Sequence, residues 1–217
     1  MTSVAIMQPY FLPYAGYFRL IARTDVFVLY DCVQFPRRGW VHRNKLVDAH
    51  GAEQWLTLPL RHAPQDVLIS DLAFADGAAE ELAERLRPFP VASRAGAHEP
   101  LLDRVRRAEG RPADYIASLL ESACDVLGLR WNVVRSSTLG IPAETRGQDR
   151  ILAIAQALGA KRYLNAPGGR ELYDAETFAE AGIDLQFLDP WAGAGGSILQ
   201  RLADDDLQAL GRQIQHG

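Results

Sequence analysis

The chain has 217 residues, a length that can bury a substantial core within one domain. Its formal net charge of −4 argues against nucleic acid or a membrane as a partner. Its two cysteines cannot form a disulfide framework. No basic leader and no run of roughly 20 apolar residues is present, so we expect a cytoplasmic protein.

The N-terminal part of the chain alternates strand and helix patterns. Short apolar runs at Val4–Met7 and Val26–Tyr30 are typical of buried strands, and Gly16–Arg23 between them has helical spacing. A strand, a helix and a strand within about thirty residues form a βαβ unit, which predicts a parallel sheet with a right-handed crossover. A hairpin with strands Leu46–Ala49 and Gln54–Leu58 is predicted next.

The middle of the chain is predominantly helical. The weakly alternating stretch Val67–Phe74 is a further strand candidate. The predicted helices that follow it are Gly77–Leu86, Leu101–Arg107 and Ala113–Leu127. Gly128 fits a C-terminal cap of the last of them. We therefore expect one α/β domain over residues 1–217, with a helical insertion around residues 77–130.

Strand and helix patterns alternate again toward the C-terminus. The predicted elements are strand Val133–Arg135, helix Gly147–Leu158, strand Arg162–Leu164, helix Ala175–Ala181 and strand Asp184–Leu188. The Gly-rich segment Ala192–Gly196 then leads into a polar helical tail that starts at Ser197. The whole pattern predicts an α/β fold with a mostly parallel, Rossmann-like sheet, a helical insertion and a small hairpin.

Polar side chains follow the first two predicted strands. Gln8 comes after the first strand, and Asp31 and Gln34 come after the second. Ligands of open parallel sheets bind outside the carboxyl ends of the strands, so these residues should converge on one crevice. Tyr10 and Tyr14 would line its mouth with ring faces and hydroxyl groups. The alternative is a tyrosine-rich loop packed as core, with Asp31 capping a turn.

Basic side chains crowd the segment that follows. Arg37, Arg38, Arg43 and Asn44 lie beside Trp40, and guanidinium groups bind carboxylates and phosphates at fixed geometry. We expect Arg38, Arg43 and Asn44 to bind substrate. A solvated basic loop is the alternative.

A third candidate segment follows the strand Arg162–Leu164. Asn165 opens it, and Gly168 and Gly169 would let backbone N–H groups approach an anion near Tyr173. We expect these four residues to bind substrate. None of the histidines shows metal-ligand spacing, so we expect no metal and no cofactor.

Several of these motifs carry a resemblance to a known family. The matching segments are residues 7–18, 25–35, 37–44, 55–59, 158–165, 168–173 and 196–199. In them the chain resembles the WbqC-like family, although Cys32 stands where the family pattern has an acidic residue. The resemblance implies a place in O-antigen, modified-sugar or secondary-metabolite biosynthesis, and the attachment of an aminoacyl group such as glycine to an amino sugar.

A weaker resemblance points to a different chemistry. The strand, the Pro-Tyr-Ala-Gly-Tyr loop at residues 13–17 and the helix after it are similar to nucleotidylyltransferase-like Rossmann folds. In those enzymes a His-x-Gly-His loop holds nucleotide phosphates, whereas Tyr14 and Tyr17 stand here in place of the histidines. A nucleotidylyltransferase-like or adenylate-forming enzyme is therefore one alternative. A non-catalytic binding subunit of such a pathway is another.

The favoured interpretation is acyl or aminoacyl transfer to the amine of a small-molecule acceptor, with a carrier-protein thioester as one possible donor. Asp31 is the predicted base, and Gln8 and Gln34 would orient the acceptor. Arg43 and Asn44 would bind an anionic group and stabilise the developing oxyanion. These five residues should line one concave site.

The adjacent Asp31 and Cys32 offer two mechanisms. A carboxylate supplies the base that an amine acceptor needs, whereas the thiol of Cys32 has no predicted partner that would activate it as a nucleophile. We expect Asp31→Asn to remove activity at unchanged stability and Cys32→Ala to keep most of it.

Overall fold

A five-stranded parallel sheet forms the centre of the computed structural model, which describes all 217 residues. Its strands are β1 (Ser3–Met7), β2 (Val26–Leu29), β5 (Val133–Arg135), β6 (Arg162–Asn165) and β7 (Asp184–Phe187), in the order β5-β2-β1-β6-β7. Strands β3 (Arg43–Val47) and β4 (Glu53–Thr57) form a separate antiparallel hairpin. The predicted fold class is confirmed.

Eight α-helices surround these strands. They are α1 (Phe18–Ala22), α2 (Ala78–Leu86), α3 (Glu99–Val105), α4 (Pro112–Leu127), α5 (Gly147–Ala157), α6 (Ala175–Glu180), α7 (Ile198–Asp204) and α8 (Leu207–His216). Along the chain, helices α2, α3 and α4 follow the hairpin and precede β5. None of the eight combines the length and the apolar character that a membrane crossing requires.

Helices cover both faces of the sheet because the strands are apolar on both faces. Val4, Ile6 and Val28 belong to a buried cluster completed by side chains of α5 and α6. Ala5 and Phe27 point to the other face and belong to the larger core, which includes side chains of α1, α4 and α8. A strand that is buried on both sides reads as a continuous apolar run, which is why β1 and β2 are recognisable in the sequence.

The order of the strands leaves a crevice between β1 and β6. The chain runs from β1 outward through β2 to β5, then returns to the opposite side of β1 for β6 and β7. The paired register between β1 and β6 covers only Ser3 and Val4 of β1, so this ladder is shorter than the one between β1 and β2, which covers four residues of β1. A change of direction of this kind is the usual ligand site of open α/β sheets.

The prediction of a strand at Val67–Phe74 is wrong. This stretch contains a 3-10 turn at Ile69–Asp71 and takes part in only isolated bridges. Its backbone bonds to two different segments, through Val67 and Ser70 to residues 31–35 and through Ala73 to Arg61. Because no single partner strand runs beside it, the alternation in its sequence does not extend into a ladder.

The C-terminal helices are amphipathic rather than polar throughout. Ile198, Leu199 and Leu202 of α7 are buried, as are Leu210 and Ile214 of α8. Their spacing places them on one face of each helix, and α8 uses this face to pack on α1 and α4. The predicted polar tail is therefore part of the core.

Hydrogen bonds from two distant segments hold the loop after β1 in a strained conformation. Leu12 has φ of +49°, the only positive value outside glycine, and its side chain is buried. Its carbonyl oxygen accepts from Asn44 Nδ2 at 2.5 Å and from Ser197 Oγ at 3.0 Å. Phe11 adds a bond from its N–H to the Trp40 carbonyl oxygen at 2.9 Å. A non-glycine residue persists at positive φ only where its surroundings enforce it, and these bonds do so.

Replacement of Ser197 by alanine should lower stability more than loss of an ordinary helix cap. The buried Ser197 Oγ donates to Leu12 and also caps α7 by accepting from the Leu199 N–H. We expect Ser197→Ala to lower the free energy of unfolding by about 2 kcal/mol, measured by urea denaturation. Asp206→Ala removes only the exposed cap of α8 and should cost about 1 kcal/mol or less. Equal effects of the two variants would show that the bond to Leu12 contributes nothing.

Candidate functional site

A cavity of about 520 Å³ opens at the carboxyl ends of β1 and β6. Three segments build its walls, namely the loop after β1, the segment after β6 and the segment after β7, while Tyr30 and Arg19 also face it. Aromatic and aliphatic side chains predominate in the lining, with a small number of polar groups among them. This composition is typical of sites for small organic molecules.

The loop after β1 contributes Gln8, Tyr10 and Tyr14 to the cavity. The hydroxyl of Tyr17 donates to the Gln8 carbonyl oxygen at 2.9 Å, and the Tyr10 and Tyr17 ring centroids lie 5.7 Å apart. These contacts fix the backbone of the loop. The side-chain amide of Gln8 makes no hydrogen bond within the chain and is therefore free to bind a ligand.

The segment after β6 contributes Asn165, Gly168, Gly169 and Tyr173. Asn165 is 5% exposed, and its Oδ1 accepts from the Ala166 N–H at 2.7 Å. A Cβ at position 169 would lie 2.3 Å from Asn165 Nδ2, so only glycine leaves room for this amide. The Nδ2 group has no partner within the chain, which leaves both of its N–H groups for a ligand.

The segment after β7 contributes Asp189 and Trp191. Asp189 is exposed and is the only carboxylate of the lining. Trp191 Nε1 donates to the Ala194 carbonyl oxygen at 3.0 Å, which orients the ring. Gly16 lies beneath it, because a Cβ there would stand 2.3 Å from Tyr14 and 2.9 Å from Trp191. The absence of a side chain at Gly16 brings the two rings to one end of the cavity.

The hydroxyl groups of Tyr10, Tyr14 and Tyr30 remain protonated at neutral pH. Burial raises the pKa of Tyr30 to about 12, and burial also raises the pKa of Tyr10 and of Tyr14 above the ordinary value. These groups can therefore donate and accept hydrogen bonds, but they are poor bases.

The sequence-derived site separates into two groups in the structure. The cavity contains seven of the predicted residues, Gln8, Tyr10, Tyr14, Asn165, Gly168, Gly169 and Tyr173. It does not contain Asp31, Gln34, Arg38, Arg43 or Asn44. The prediction that Gln8, Asp31, Gln34, Arg43 and Asn44 line one concave site is therefore wrong.

Asp31 is completely buried and fully engaged within the protein. Oδ2 accepts from Arg135 at 2.7 Å and from Ser137 Oγ at 2.9 Å, while Oδ1 accepts from Ser136 Oγ and the Ser137 N–H. Arg135 also pairs with the exposed Asp114. A general base needs a free lone pair directed at substrate, and this carboxylate has none. The contacts instead tie the end of β2 to the end of β5.

The remaining predicted residues lie outside the cavity, and the side chains of all of them except Arg38 have hydrogen-bond partners. Gln34 Nε2 donates to the Gln65 carbonyl oxygen at 2.8 Å, and Arg43 donates to the carbonyl oxygens of Arg38 and Gly39. The exposed Arg38 side chain makes no hydrogen bond within the chain. Asn44 is buried against the loop after β1, where it positions Leu12 rather than a ligand.

Cys32 also lies outside the cavity. Its Sγ is half-buried and 3.1 Å from Nη1 of the buried Arg150, which also donates to the Cys32 carbonyl oxygen. Neither a histidine nor a carboxylate hydrogen-bonds to this thiol. That Cys32→Ala keeps most of the activity stays a prediction.

Sequence reasoning missed Asp189, Trp191 and Arg19. Asp31 was selected by the rule that polar residues just after a strand of a parallel sheet bind ligands. Asp189 lies just beyond β7, so the same rule also applies to it. The rule alone does not distinguish a carboxylate that faces the cavity from one that pairs with a neighbouring strand. Trp191 and Arg19 lacked a comparable signal, because one follows a loop proline and the other lies in an apolar helix.

Comparison with known proteins places the chain in a family context. The sequence model of the WbqC-like protein family matches residues 8–192. The chain is also similar to the uncharacterized protein Rv1507c of Mycobacterium tuberculosis, with 28% identity over 208 residues that cover 87% of this chain and 83% of that protein. No solved structure matches the chain.

Replacement of Asp31 should affect stability directly. Asp31→Asn removes the buried charge that faces Arg135, so we expect the free energy of unfolding to fall by about 3 kcal/mol in urea denaturation. Asp114→Asn removes the exposed partner of the same arginine and should cost about 1 kcal/mol or less. A stable but inactive Asp31→Asn variant would restore Asp31 as the base.

His42 should make stability depend on pH. Burial, with a smaller effect of Arg43, lowers the pKa of His42 from 6.5 to about 4, and its buried Nδ1 has no hydrogen-bond partner. The folded protein therefore binds fewer protons than the unfolded chain between these values, so this contribution to stability is complete above pH 6.5 and is lost as the pH falls toward 4. Urea denaturation from pH 7 to pH 4 should show this loss relative to His42→Gln. Parallel pH curves for the two proteins would contradict the assignment.

Proposed function

Because the chain belongs to the WbqC-like protein family, we propose that it is an enzyme that transfers an acyl or aminoacyl group to the amine of an amino sugar or related metabolite. The observation that carries the proposal is the set of groups in the cavity between β1 and β6. One carboxylate, two carboxamides with unused donors, and aromatic rings face the same space. These groups match the amine, the hydroxyl groups and the apolar face of an amino sugar.

The two carboxamides suit sugar hydroxyl groups. Gln8 follows β1 and Asn165 ends β6, and each amide group can donate hydrogen bonds while the Gln8 oxygen can also accept one. Tyr14 and Trp191 present ring faces at one end of the cavity, where the C–H face of a pyranose would pack. The hydroxyl group of Tyr14 is neutral and adds a hydrogen-bond donor without adding charge.

Asp189 replaces Asp31 as the proposed base. The carboxylate attracts the ammonium form of the acceptor, which loses one proton to solvent before it reacts. The nitrogen lone pair of the free amine attacks the acyl carbonyl carbon, and Asp189 takes the second proton as the C–N bond forms. The bond between the acyl carbon and the donor's sulfur or phosphate oxygen then breaks, and the leaving group takes up the proton that Asp189 received.

The tyrosines are the proposed stabilisers of the developing oxyanion. Tyr30 and Tyr173 line the cavity, and the hydroxyl group of a tyrosine can donate a hydrogen bond. Pre-positioned donors of this kind lower the barrier because they need no reorganisation during the reaction. The donor substrate would be a thioester, such as one on a carrier protein, or an acyl adenylate, in O-antigen-type or secondary-metabolite biosynthesis.

Binding of matched sugars tests the acceptor assignment. Isothermal titration should show that wild-type protein binds glucosamine at least about tenfold more tightly than glucose, because a charge-assisted hydrogen bond to Asp189 contributes about 1.5–3 kcal/mol. Asp189→Asn should abolish the difference, whereas Asp184→Asn should retain it. Asp184 is an exposed carboxylate at the other end of the same strand β7. Equal binding of the two sugars by wild type would refute an amine site at Asp189.

Product formation separates transfer from the alternatives. A panel of amino sugars incubated with glycyl-N-acetylcysteamine should give amide products by mass spectrometry, and Asp189→Asn should slow their formation by about 100-fold or more. Amine-selective binding without product from thioesters or aminoacyl adenylates would favour the non-catalytic binding subunit. Release of pyrophosphate from ATP by the protein alone would favour an adenylate-forming enzyme.

A further inference from the structure

We infer that the exposed face of the β3–β4 hairpin docks an acidic carrier protein, which delivers the acyl donor as a thioester. The hairpin face, as we call this surface, consists of Trp40, Arg43, Lys45, Val47 and Trp55, with Arg38 at its edge. The inference rests on the proposed function in one respect, because it takes a carrier-protein thioester as the donor. It adds the surface that recognises that donor.

The hairpin buries one of its two faces and exposes the other. Asn44, Leu46 and Leu56 are buried, and alternate residues of a strand point to opposite sides. On the exposed side Trp55 lies opposite Lys45 in the register of the two strands. Trp40 packs beside Trp55 with the ring centroids 5.4 Å apart, yet the two residues remain 43% and 44% exposed.

The hairpin face has the composition of a protein-binding surface. Six large apolar side chains of the protein are exposed, and three of them, Trp40, Val47 and Trp55, belong to this face. Arg43 Cζ lies 4.3 Å from the centroid of the Trp55 ring and Lys45 Nζ 5.6 Å from it. Clustered apolar exposure marks interaction sites, and tryptophan and arginine are the residue types that dominate binding energy in protein interfaces.

The hairpin face is also cationic, although the whole chain has a net charge of −4. Residues 37–57 contain four cations and only two carboxylates. Lys45 pairs with Glu53 at 2.9 Å, whereas Arg43 donates only to backbone carbonyl oxygens and the exposed Arg38 side chain makes no hydrogen bond. No carboxylate of the chain therefore neutralises Arg38 or Arg43, and an acidic partner surface would complement both.

The hairpin adjoins the wall of the cavity. The Trp40 carbonyl oxygen accepts from the Phe11 N–H at 2.9 Å, and Phe11 follows Tyr10, which lines the cavity. The hairpin face and the cavity are therefore connected through the loop after β1. A carrier protein holds its acyl group on a long flexible phosphopantetheine arm, so a carrier docked on this face can present its thioester to the cavity.

Other occupants of an aromatic, cationic surface make different predictions. An uncharged saccharide would stack on the tryptophans and gain little from Arg38 and Arg43. A single-stranded nucleic acid would use both the rings and the charges, but the acidic character of the whole chain opposes it. The acidic carrier protein is the partner that fits the rings, the cations and the proposed donor together.

Binding of a carrier protein without its arm measures docking apart from any reaction. Isothermal titration with an apo acyl carrier protein of bacterial fatty-acid synthesis should show binding to wild type at low salt. Raising the salt concentration from about 50 to about 300 mM should weaken it several-fold, because the contacts of exposed charges are screened. Absence of binding at low salt overturns the inference, and so does binding of a single-stranded oligonucleotide that the carrier protein does not displace.

Three variants assign the binding to the hairpin face. Arg38→Glu and Trp55→Ala should each weaken it by about tenfold or more. Arg130→Glu should leave it unchanged, because Arg130 is exposed just before the amino end of β5 and the substitution changes the net charge by the same amount as Arg38→Glu. If Trp55→Ala does not fold, Arg38→Glu decides the question, since that side chain makes no hydrogen bond. Equal losses in Arg38→Glu and Arg130→Glu overturn the assignment.

Two donors with the same acyl group separate the docking surface from the proposed function. Glycyl acyl carrier protein and glycyl-N-acetylcysteamine share the thioester, and only the first has an acidic protein surface. With an amino-sugar acceptor, kcat/KM should be about tenfold or more higher for the carrier-bound donor, and Arg38→Glu should remove that advantage. Product from the small thioester with no advantage of the carrier overturns the docking surface alone. Docking of the carrier without product from either donor contradicts the proposed function and leaves the docking surface standing.

Discussion

Three segments that are far apart in the chain meet at the carbonyl oxygen of Leu12. Asn44 from the hairpin and Ser197 from the start of α7 both donate to it, and together they hold this residue at a positive φ. The loop on either side carries Tyr10 and Tyr14 into the cavity. The hairpin and the C-terminal helices therefore contribute to the site without lining it, because they determine the path of the loop after β1.

The polar groups of the protein fall into two networks with different tasks. Around Asp31, every oxygen is satisfied by Arg135 and two serines, so the network closes on itself and joins β2 to β5. Around the cavity, by contrast, Gln8 and Asn165 keep donors that no protein group uses. Unsatisfied donors at the edge of a cavity are costly unless a ligand meets them, which is why they indicate the binding site better than the more conspicuous charged pair.

The fold could be predicted from the sequence in large part, and the site only in part. The apolar runs of β1 and β2 identify a doubly covered parallel sheet, and the rule for strand ends selected Gln8 and Asn165, which both line the cavity. The same rule failed for Asp31 because its partners, Ser136 and Ser137, lie at the end of a strand more than one hundred residues away. Strand order in space, not the local pattern, decides whether such a carboxylate meets a ligand or a neighbouring strand. The apolar faces of α7 and α8 were missed because their polar residues dominate the composition of the tail.

The short register between β1 and β6 has a mechanical consequence. The walls of the cavity belong to two halves of the sheet, β5-β2-β1 and β6-β7, which are joined through pairing at Ser3 and Val4 at the far end of the strands. This is the shortest ladder of the sheet, since the other neighbouring strands pair over three or four residues. The position of Gln8 relative to Asn165 therefore depends less on backbone pairing than the positions of residues within either half do.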